Sequence, residues 1–449
     1  MGVIGLAALI AGARPDTHPI AFHKGEMITL ARLRGDVAHN ADLLLTRRVQ
    51  RGAMVCADAY PFIVGLLALI RIGAGVILPS NEQPGTLHGL QPEFDALVTD
   101  SDATHPAHRI ALESAEAGPF DFDPARSPIT FFTSGSTGEI KPVLKTLTLF
   151  ELEAAALEQL WGDQAGSARV FGTVTHQHVF GMTFRLMWPL LAGRPFESEL
   201  HTAWEPLLAR LNPRAVIVSS PAHLTRLGGL DPLSADRRPA MVITAGAPIP
   251  ESAAAEATAI FGCILTDVFG STESGVIGWR DCAAESTLWR PFPGVEIGAG
   301  TNGVLLLRSR HASGIGWNPQ ADRIALSGDG RFRLEGRVDR IVKVEGKRVS
   351  LERMEHSIIA LPWIAEAVVV SLGETRLYLG AVARITPSGE NEIARLGKFR
   401  FERMLRRELA NTDDGSVLPR RWRFVEAIPV DGMGKHRLAD IRALFGNFA

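Results

Sequence analysis

The chain has 449 residues and a mass of 48.5 kDa, more than one compact core holds and enough for two or three domains. Hydrophobic residues make up 46% and charged residues 21%, which excludes a disordered chain. The 47 Lys+Arg against 49 Asp+Glu leave a net charge of −2, so the surface as a whole has no attraction for nucleic acid or an anionic membrane.

In chain order, Met1–Ala13 is apolar but lacks the basic residue that usually precedes the apolar core of a signal peptide. Cys56, Cys263 and Cys282 are far apart without CxxC spacing; they exclude a disulfide scaffold and a zinc finger and suit a reducing cytoplasm. Pro61–Leu78 is the most hydrophobic internal stretch. It carries Arg71 and three glycines, and its uninterrupted apolar part is about half of a membrane span, so it is expected in the core.

The most informative segment is Ile129-Thr-Phe-Phe-Thr-Ser-Gly-Ser-Thr-Gly-Glu-Ile-Lys141. An apolar strand runs into Thr133, Ser134, Gly135, Ser136, Thr137 and Gly138, and Lys141 follows. Small residues let backbone N–H groups close around an anion, hydroxyls add donors, and the lysine adds charge. A helix is expected from about Thr148, with Thr148-x-x-Glu151 as a capping box. The spacing does not fit GxxxxGK[ST]. A flexible linker is the plainer reading, but a linker rarely joins a buried strand to a capped helix.

Farther on, Ala168–Val174, Ala215–Ser219, Met241–Thr244 and Ile264–Phe269 are short apolar runs, each followed by turn residues and a helical pattern, which argues for α/β layers with buried strands. His176-x-His178 lacks a third ligand at metal spacing. Gly298-Ala-Gly-Thr-Asn-Gly303 matches GxGxxG but precedes the strand Val304–Arg308, where a dinucleotide fold needs a helix, so it is expected to be a hairpin turn. There is no GxSxG. Val304–Arg308 and Arg331–Leu334 read as hairpin strands. Beyond about Ile341 a small α+β unit is expected: a helix from Leu351 to Ala360 capped by Ser350, strands near Ala367–Leu372 and Leu377–Arg384, and one long helix from Glu392 to Ala410. Residues 341–449 hold 18 Lys+Arg and 14 Asp+Glu, net +4, against net −6 for residues 1–340.

Thr133-Ser-Gly-Ser-Thr-Gly-x-x-Lys141 resembles the phosphate loop of the AMP-forming acyl/aryl ligases, which include acyl-CoA synthetases and nonribosomal adenylation domains. Six further motifs follow in that family's order: Thr244-Ala-Gly-Ala-Pro248, Phe269-Gly-Ser-Thr-Glu273, Ser327-Gly-Asp329, Gly336-Arg-Val-Asp339, Lys343-Val-Glu-Gly-Lys-Arg348 and Pro429-x-x-x-x-Gly-Lys435. The resemblance covers nearly the whole chain. It implies an α/β fold: a large multi-layer body of sheets and helices over 1–338, and a small mobile α+β domain over 339–449 hinged near Asp339. It also implies roles. Gly246, Ala247 and Pro248 stand beside the adenine, and Phe269 stacks on it, flanked by Gly270, Ser271 and Thr272. Glu273 holds Mg²⁺, Asp329 accepts the ribose hydroxyls, and Arg337 helps at ribose or phosphate. Lys435 bridges the acid's carboxylate and the α-phosphate, Lys141 belongs to the loop that holds the leaving phosphates, and Lys435, Glu273, Thr272, Lys141 and His178 are the catalytic candidates. Lys343, Gly346 and Arg348 line a thiol channel.

Thr175-His-Gln-His-Val-Phe-Gly-Met182 resembles the family's carboxylate-pocket segment, which points His178 and Phe180 at the acid; by similar placement Ser219, Ser220, Ala245, Gly270 and Gly275 are pocket candidates. The wording around the loop, with Lys145-Thr146 and Trp188-Pro-Leu-Leu-Ala-Gly-Arg-Pro195, looks like the short ligases of bacterial aryl-polyene and xanthomonadin pigment clusters. That implies an aromatic acid of the hydroxybenzoate type, ATP with AMP as product, and the phosphopantetheine thiol of an acyl carrier protein. CoA as acceptor, and a non-catalytic nucleotide-binding paralogue, are the alternatives. A cytoplasmic enzyme without nucleic-acid or membrane partners is expected. Ile140, Pro142, Phe269 and Ser327 depart from the family's usual residues; none deletes a catalytic group.

Overall fold

The computed structural model describes residues 2–101, 107–111, 116–134, 140–211, 213–282, 288–312, 316–344, 347–373, 377–411, 415–430 and 436–446; of Thr133, Ser134, Ile140, Asp339, Ile341, Lys343, Lys347 and Arg348 only the backbone is described. They form two compact units, 2–296 with 307–317, and 297–306 with 318–446.

The first unit is built on two sheets. In one, Pro19–His23, Phe196–Glu197, Val170–Gly172, Val216–Ser219, Met241–Ala245 and Leu265–Ser271 lie parallel in that spatial order. Antiparallel strands close it at both ends: Glu26–Thr29 at one, Gly275–Asp281 and Arg290–Pro291 at the other. The strands are apolar on both faces because both are covered. One face packs Phe171, Ile217, Val242 and Leu265 against Trp204, Leu207, Ala257 and Phe261 of neighbouring helices. The run Ile264–Phe269 departs from expectation: after Leu265–Ser271 the chain turns straight back as Gly275–Asp281 instead of entering a helix.

The other sheet orders Ala107–Arg109, Ala96–Thr99, Arg51–Val55, Gly75–Leu78 and Ile129–Ser134 in parallel, with Ile140–Lys145 antiparallel at its edge. Pro61–Leu78 is core, as expected: Ala59–Ile72 is a helix whose residues are nearly all buried. Gly65 lets it approach the sheet, since a Cβ there would stand 2.9 Å from side-chain atoms of Met54 and Ile110. Pro142 is tolerated because its strand is at the edge, where one face of the ladder needs no donor.

Two local corrections concern the helix after the loop. It spans Leu147–Ala165 and its N-cap is Thr146, not Thr148. Glu151 does not close a capping box; its Oε1 accepts the Leu6 N–H at 2.6 Å, at the start of the Leu6–Ile10 helix. The sequence also gave no sign that Val179–Gly181, the π-helical Met182–Met187 and Trp188–Ala192 follow one another without a break.

The second unit holds most of a four-stranded sheet ordered Val295–Ala299, Val304–Ser309, Asn318–Leu326, Phe332–Arg337. Residues 300–303 form the tight turn expected of the glycine-rich decoy, with Asn302 at φ 59°. Val304–Ser309 and Phe332–Arg337 are strands, but Asn318–Leu326 lies between them. Then come the hairpin Ile341–Val344/Lys347–Ser350, the helix Leu351–Ile359 and the sheet Ile364–Leu372, Tyr378–Ile385, Arg421–Phe424. Ser350 caps the helix, its Oγ accepting the Arg353 N–H at 3.3 Å. The expected single helix from 392 to 410 is two, Pro387–Leu396 and Lys398–Leu409, broken at Gly397 with φ 77° and ψ 154°. Among the described residues no helix is long and apolar enough to cross a membrane.

Candidate active site

The expected phosphate loop joins two antiparallel strands. Thr133 pairs with Lys141 and Ser134 with Ile140, so the ladder runs up to the loop on both sides. Gly135, Ser136, Thr137 and Gly138 lie outside the described residues, as do Gly346 and Lys435. The loop therefore leads into a strand before the helix. Alternation puts Lys141, Val143 and Lys145 on one face of that strand; Lys141 is exposed, whereas Lys145 is 3% exposed.

At the carboxyl ends of the parallel strands the register sets Ser219 beside Thr244, Thr244 beside Asp267 and Ala245 beside Val268. Ligands of open α/β sheets collect at such ends. Ser219 is fully buried and its Oγ lies 2.9 Å from Thr173 Oγ1, while Ser220 Oγ lies 3.1 Å from His223 Nδ1. Gly246, at φ +100°, turns the chain out of the sheet toward half-buried Ala247 and exposed Pro248. Phe269 is half-buried and meets Trp289 edge-on, ring centroids 5.7 Å apart.

His178 is half-buried at the start of its helix, and Phe180 packs on Phe184 with centroids 4.8 Å apart. His176 is different in kind. It is completely buried, and its Nε2 donates to the Cys56 carbonyl at 3.0 Å. Burial and neighbouring Arg185 hold its pKa well below the usual histidine value, so it is a packed core residue. Among the described residues Glu197, Glu199 and His201 could converge on a cation, but Arg169 pairs with Glu197 and Arg210 with both carboxylates, so guanidinium groups already take that charge.

The turn from Ser271 to Gly275 carries Glu273. Ser271 Oγ accepts the Ser274 N–H at 3.1 Å and lies 2.8 Å from Ser274 Oγ. Glu273 is exposed and Thr272 half-buried. Gly270 and Gly275 are required by the backbone: a Cβ on Gly270 would stand 2.3 Å from the Gly275 carbonyl oxygen, and one on Gly275, at φ +69°, 2.1 Å from Glu153 Oε1. Sequence reasoning missed Glu153, because a glutamate inside a helix carries no motif; it is 2% exposed.

In the second unit Asp329 stands at the tip of the Asn318–Leu326/Phe332–Arg337 hairpin. Arg331 donates to it twice, from Nε to Oδ2 at 2.6 Å and from its backbone N–H to Oδ1 at 3.2 Å. These bonds hold its carboxyl at about 2. Arg337 stands 3.9 Å from Asp322. Asp339 falls in the 3₁₀ turn Val338–Arg340, inside the second unit, and Lys343 and Arg348 face each other in hairpin register. Directly after Asp339, Arg340 donates to Glu355 Oε1 at 2.5 Å and to the Val369 carbonyl at 3.1 Å.

An AMP-binding enzyme model matches residues 88–298. The chain is 30% identical over 325 residues to a 4-coumarate–CoA ligase of Rhodobacter capsulatus, covering 71% of this chain and 78% of that one. The chain belongs to the AMP-binding enzyme family of adenylate-forming ligases. It is also 26% identical to a p-hydroxybenzoic acid–AMP ligase of Mycobacterium tuberculosis, over 92% of this chain and 65% of that protein. The ATP-bound crystal structure of MatB from Rhodopseudomonas palustris shares its fold, with a TM-score of 0.79 and 18% identity over 98% of this chain and 99% of that one. Membership supports ATP or AMP as the nucleotide.

Proposed function

We propose that this AMP-binding enzyme activates an aromatic carboxylic acid of the hydroxybenzoate type as its acyl-adenylate. It then passes the acyl group to the phosphopantetheine thiol of an acyl carrier protein, for pigment (aryl-polyene or xanthomonadin) or polyketide-type synthesis in the cytoplasm. The observation that carries the reading is the combination in one unit of the Thr133–Lys141 hairpin with the strand-end turns bearing Ala245–Pro248 and Phe269–Glu273. The likeness to a p-hydroxybenzoic acid–AMP ligase supports the acid class.

In the first half-reaction the carboxylate oxygen attacks the α-phosphorus, a phosphorus–oxygen bond breaks, and pyrophosphate leaves. The Thr133–Lys141 loop holds the leaving phosphates, Phe269 and Gly246–Pro248 the adenine, Asp329 and Arg337 the ribose, and Lys435 the charge on the transferring group. Engaging ribose requires Asp329 to share or leave its bonds to Arg331. Glu273 would suit a Mg²⁺ ion, being a hard carboxylate on a turn held by the Ser271–Ser274 bond; the ion would neutralise phosphate charge. His178 and Phe180, with Ser219, Ser220, Ala245, Gly270 and Gly275, border the acid.

In the second half-reaction the segment after Asp339 turns, Lys435 withdraws, and the Lys343–Arg348 loop guides the thiol. The sulfur attacks the acyl carbon and AMP leaves. The anchoring of Arg340 on Glu355 and Val369 ties the residue after Asp339 to the tail, which supports a pivot there. CoA is the second reading, favoured by the likeness to a 4-coumarate–CoA ligase. Acid-dependent exchange of labelled pyrophosphate into ATP, run over hydroxybenzoates, cinnamates and fatty acids, tests the acid; thioester formation with carrier protein or CoA tests the acceptor. No exchange with any hydroxybenzoate or cinnamate would refute the reading.

A further inference from the structure

Two consecutive side chains tie the sheets of the first unit together at one carbonyl. Cys56 follows the strand Arg51–Val55 of the sheet that carries the phosphate hairpin, and Thr175–Met182 follows Val170–Gly172 of the other sheet. His176 Nε2 donates to the Cys56 carbonyl oxygen at 3.0 Å, and Gln177 Nε2 donates to the same oxygen at 3.1 Å. The Gln177 amide also donates to Glu82 Oε1, at 3.1 Å. Glu82 comes just after Gly75–Leu78, the strand that pairs with Ile129–Ser134 on its way into the hairpin. Gln177 is buried, whereas Glu82 is exposed.

His178 is the next residue. Its segment is tightly folded: the Gln177 N–H bonds Thr175 Oγ1 at 3.3 Å, the Met182 N–H bonds the His178 carbonyl at 2.8 Å, and a Cβ on Gly181 would stand 2.0 Å from the Thr175 carbonyl oxygen. A segment packed this closely passes the placement of residue 177 on to residue 178. His176 already satisfies the Cys56 carbonyl and packs its ring on Phe62, centroids 4.8 Å apart. The Gln177 amide is therefore not needed to cap that oxygen. What it adds is a bond to a carboxylate of the hairpin's own sheet, strengthened by the charge on the acceptor. A carboxylate that attacks phosphorus needs both partners held at a fixed separation, and a misplacement of about 1 Å is costly.

We propose that Gln177, clamped between the Cys56 carbonyl and Glu82, is a positioning residue for His178: it fixes the acid-bordering segment against the sheet that carries the phosphate hairpin. The clamp rests on the adenylation reading for what His178 borders.

The test has two readouts. One is pyrophosphate exchange with 4-hydroxybenzoate. The other, which needs no substrate, is the ring Cε1–H signal of His178 in protein carrying ¹³C-labelled histidine, assigned by its absence in His178→Gln. Gln177→Glu sets a carboxylate against Glu82 and the Cys56 carbonyl. It is expected to move the His178 signal and to raise KM for the acid about tenfold or more, with KM for ATP within about twofold. Gln177→Glu with Glu82→Gln restores the bond in the reverse direction, from the amide at 82 to the carboxylate at 177. The signal is then expected to move back, and KM for the acid to return to within about threefold of the wild type. A Gln177 that only stabilised the fold would not raise one KM selectively, nor be repaired by the second substitution. An unmoved Gln177→Glu, a double variant as weak as the single, or a KM for ATP that rises as much as that for the acid overturns the clamp. Should Gln177→Glu fail to fold, Glu82→Ala at its exposed position decides: a displaced His178 signal with a raised KM for the acid supports the clamp, and an unchanged signal overturns it. A wild type that exchanges with no hydroxybenzoate or cinnamate would refute the adenylation reading, and the His178 spectra would then judge the clamp by themselves.

Discussion

Asn40 decides the protonation of His108. Its Nδ2 donates to the carbonyls of Asp36 and Ala111, so its Oδ1 is the acceptor, and His108 Nε2, 3.2 Å away, must be the donor. The ring is 1% exposed, and burial lowers its pKa to about 4. The unfolded chain, with an ordinary histidine, binds a proton from pH 6.5 downward while the folded chain resists until about 4. Stability is therefore lost as pH falls through that window, by up to about 3 kcal/mol. Urea unfolding of wild type and His108→Gln at pH 7 and pH 4.5 should show a smaller loss in the variant; equal losses would exclude the histidine as the cause. At the site, Lys435→Ala is expected to abolish pyrophosphate exchange, by about 100-fold or more, while thioester formation from supplied acyl-adenylate persists. Equal loss of both half-reactions would refute the assigned role. Lys435 and Glu273 could be nominated from their motifs, whereas Glu153 could not, because its partners arrive from a strand and a helix that no local pattern connects.

Elements were legible where periodicity and punctuation agree. The strands Val216–Ser219 and Met241–Ala245 and the helix Leu351–Ile359 match their apolar runs and caps. The strand Ile140–Lys145 was hidden because Pro142 and two lysines disguise a β pattern that only an edge position permits. The cap was misplaced because two threonines, Thr146 and Thr148, compete, and only the backbone of Thr146 is extended. The break at Gly397 lay inside an otherwise helical pattern. Its φ of 77° and ψ of 154° belong to glycine alone, yet a Cβ there would meet nothing within 4 Å. Gly397→Ala should thus cost about 1–3 kcal/mol through backbone conformation alone, measurable as a lowered urea midpoint. An unchanged midpoint would mean that the two helices can merge.

For the whole molecule, the near-zero charge conceals a division, net −6 over residues 1–340 and +4 over residues 341–449. Lys398–Leu409 turns Phe401, Leu405 and Leu409 into the core. That leaves Arg400, Arg403 and Arg407 at the spacing of one outward stripe, beside Phe399, which is 71% exposed. A stripe of this kind suits an acidic carrier domain, chiefly by raising the association rate. Arg403→Glu with Arg407→Glu should slow carrier loading at least about tenfold at low salt, and less at high salt, with pyrophosphate exchange unchanged. Unaltered loading would place docking elsewhere. The pairing of distant strands, which builds the large body, was beyond sequence reading because register depends on segments over a hundred residues apart, as with Phe22 and Glu197. Pro142 carries a last consequence. The outermost strand of a sheet invites a second molecule to add its own strand, and a residue without an N–H in the middle of that strand spoils the template. The hairpin edge is then closed to intermolecular sheet growth. Pro142→Val is expected to raise light scattering in concentrated solution before it changes nucleotide affinity.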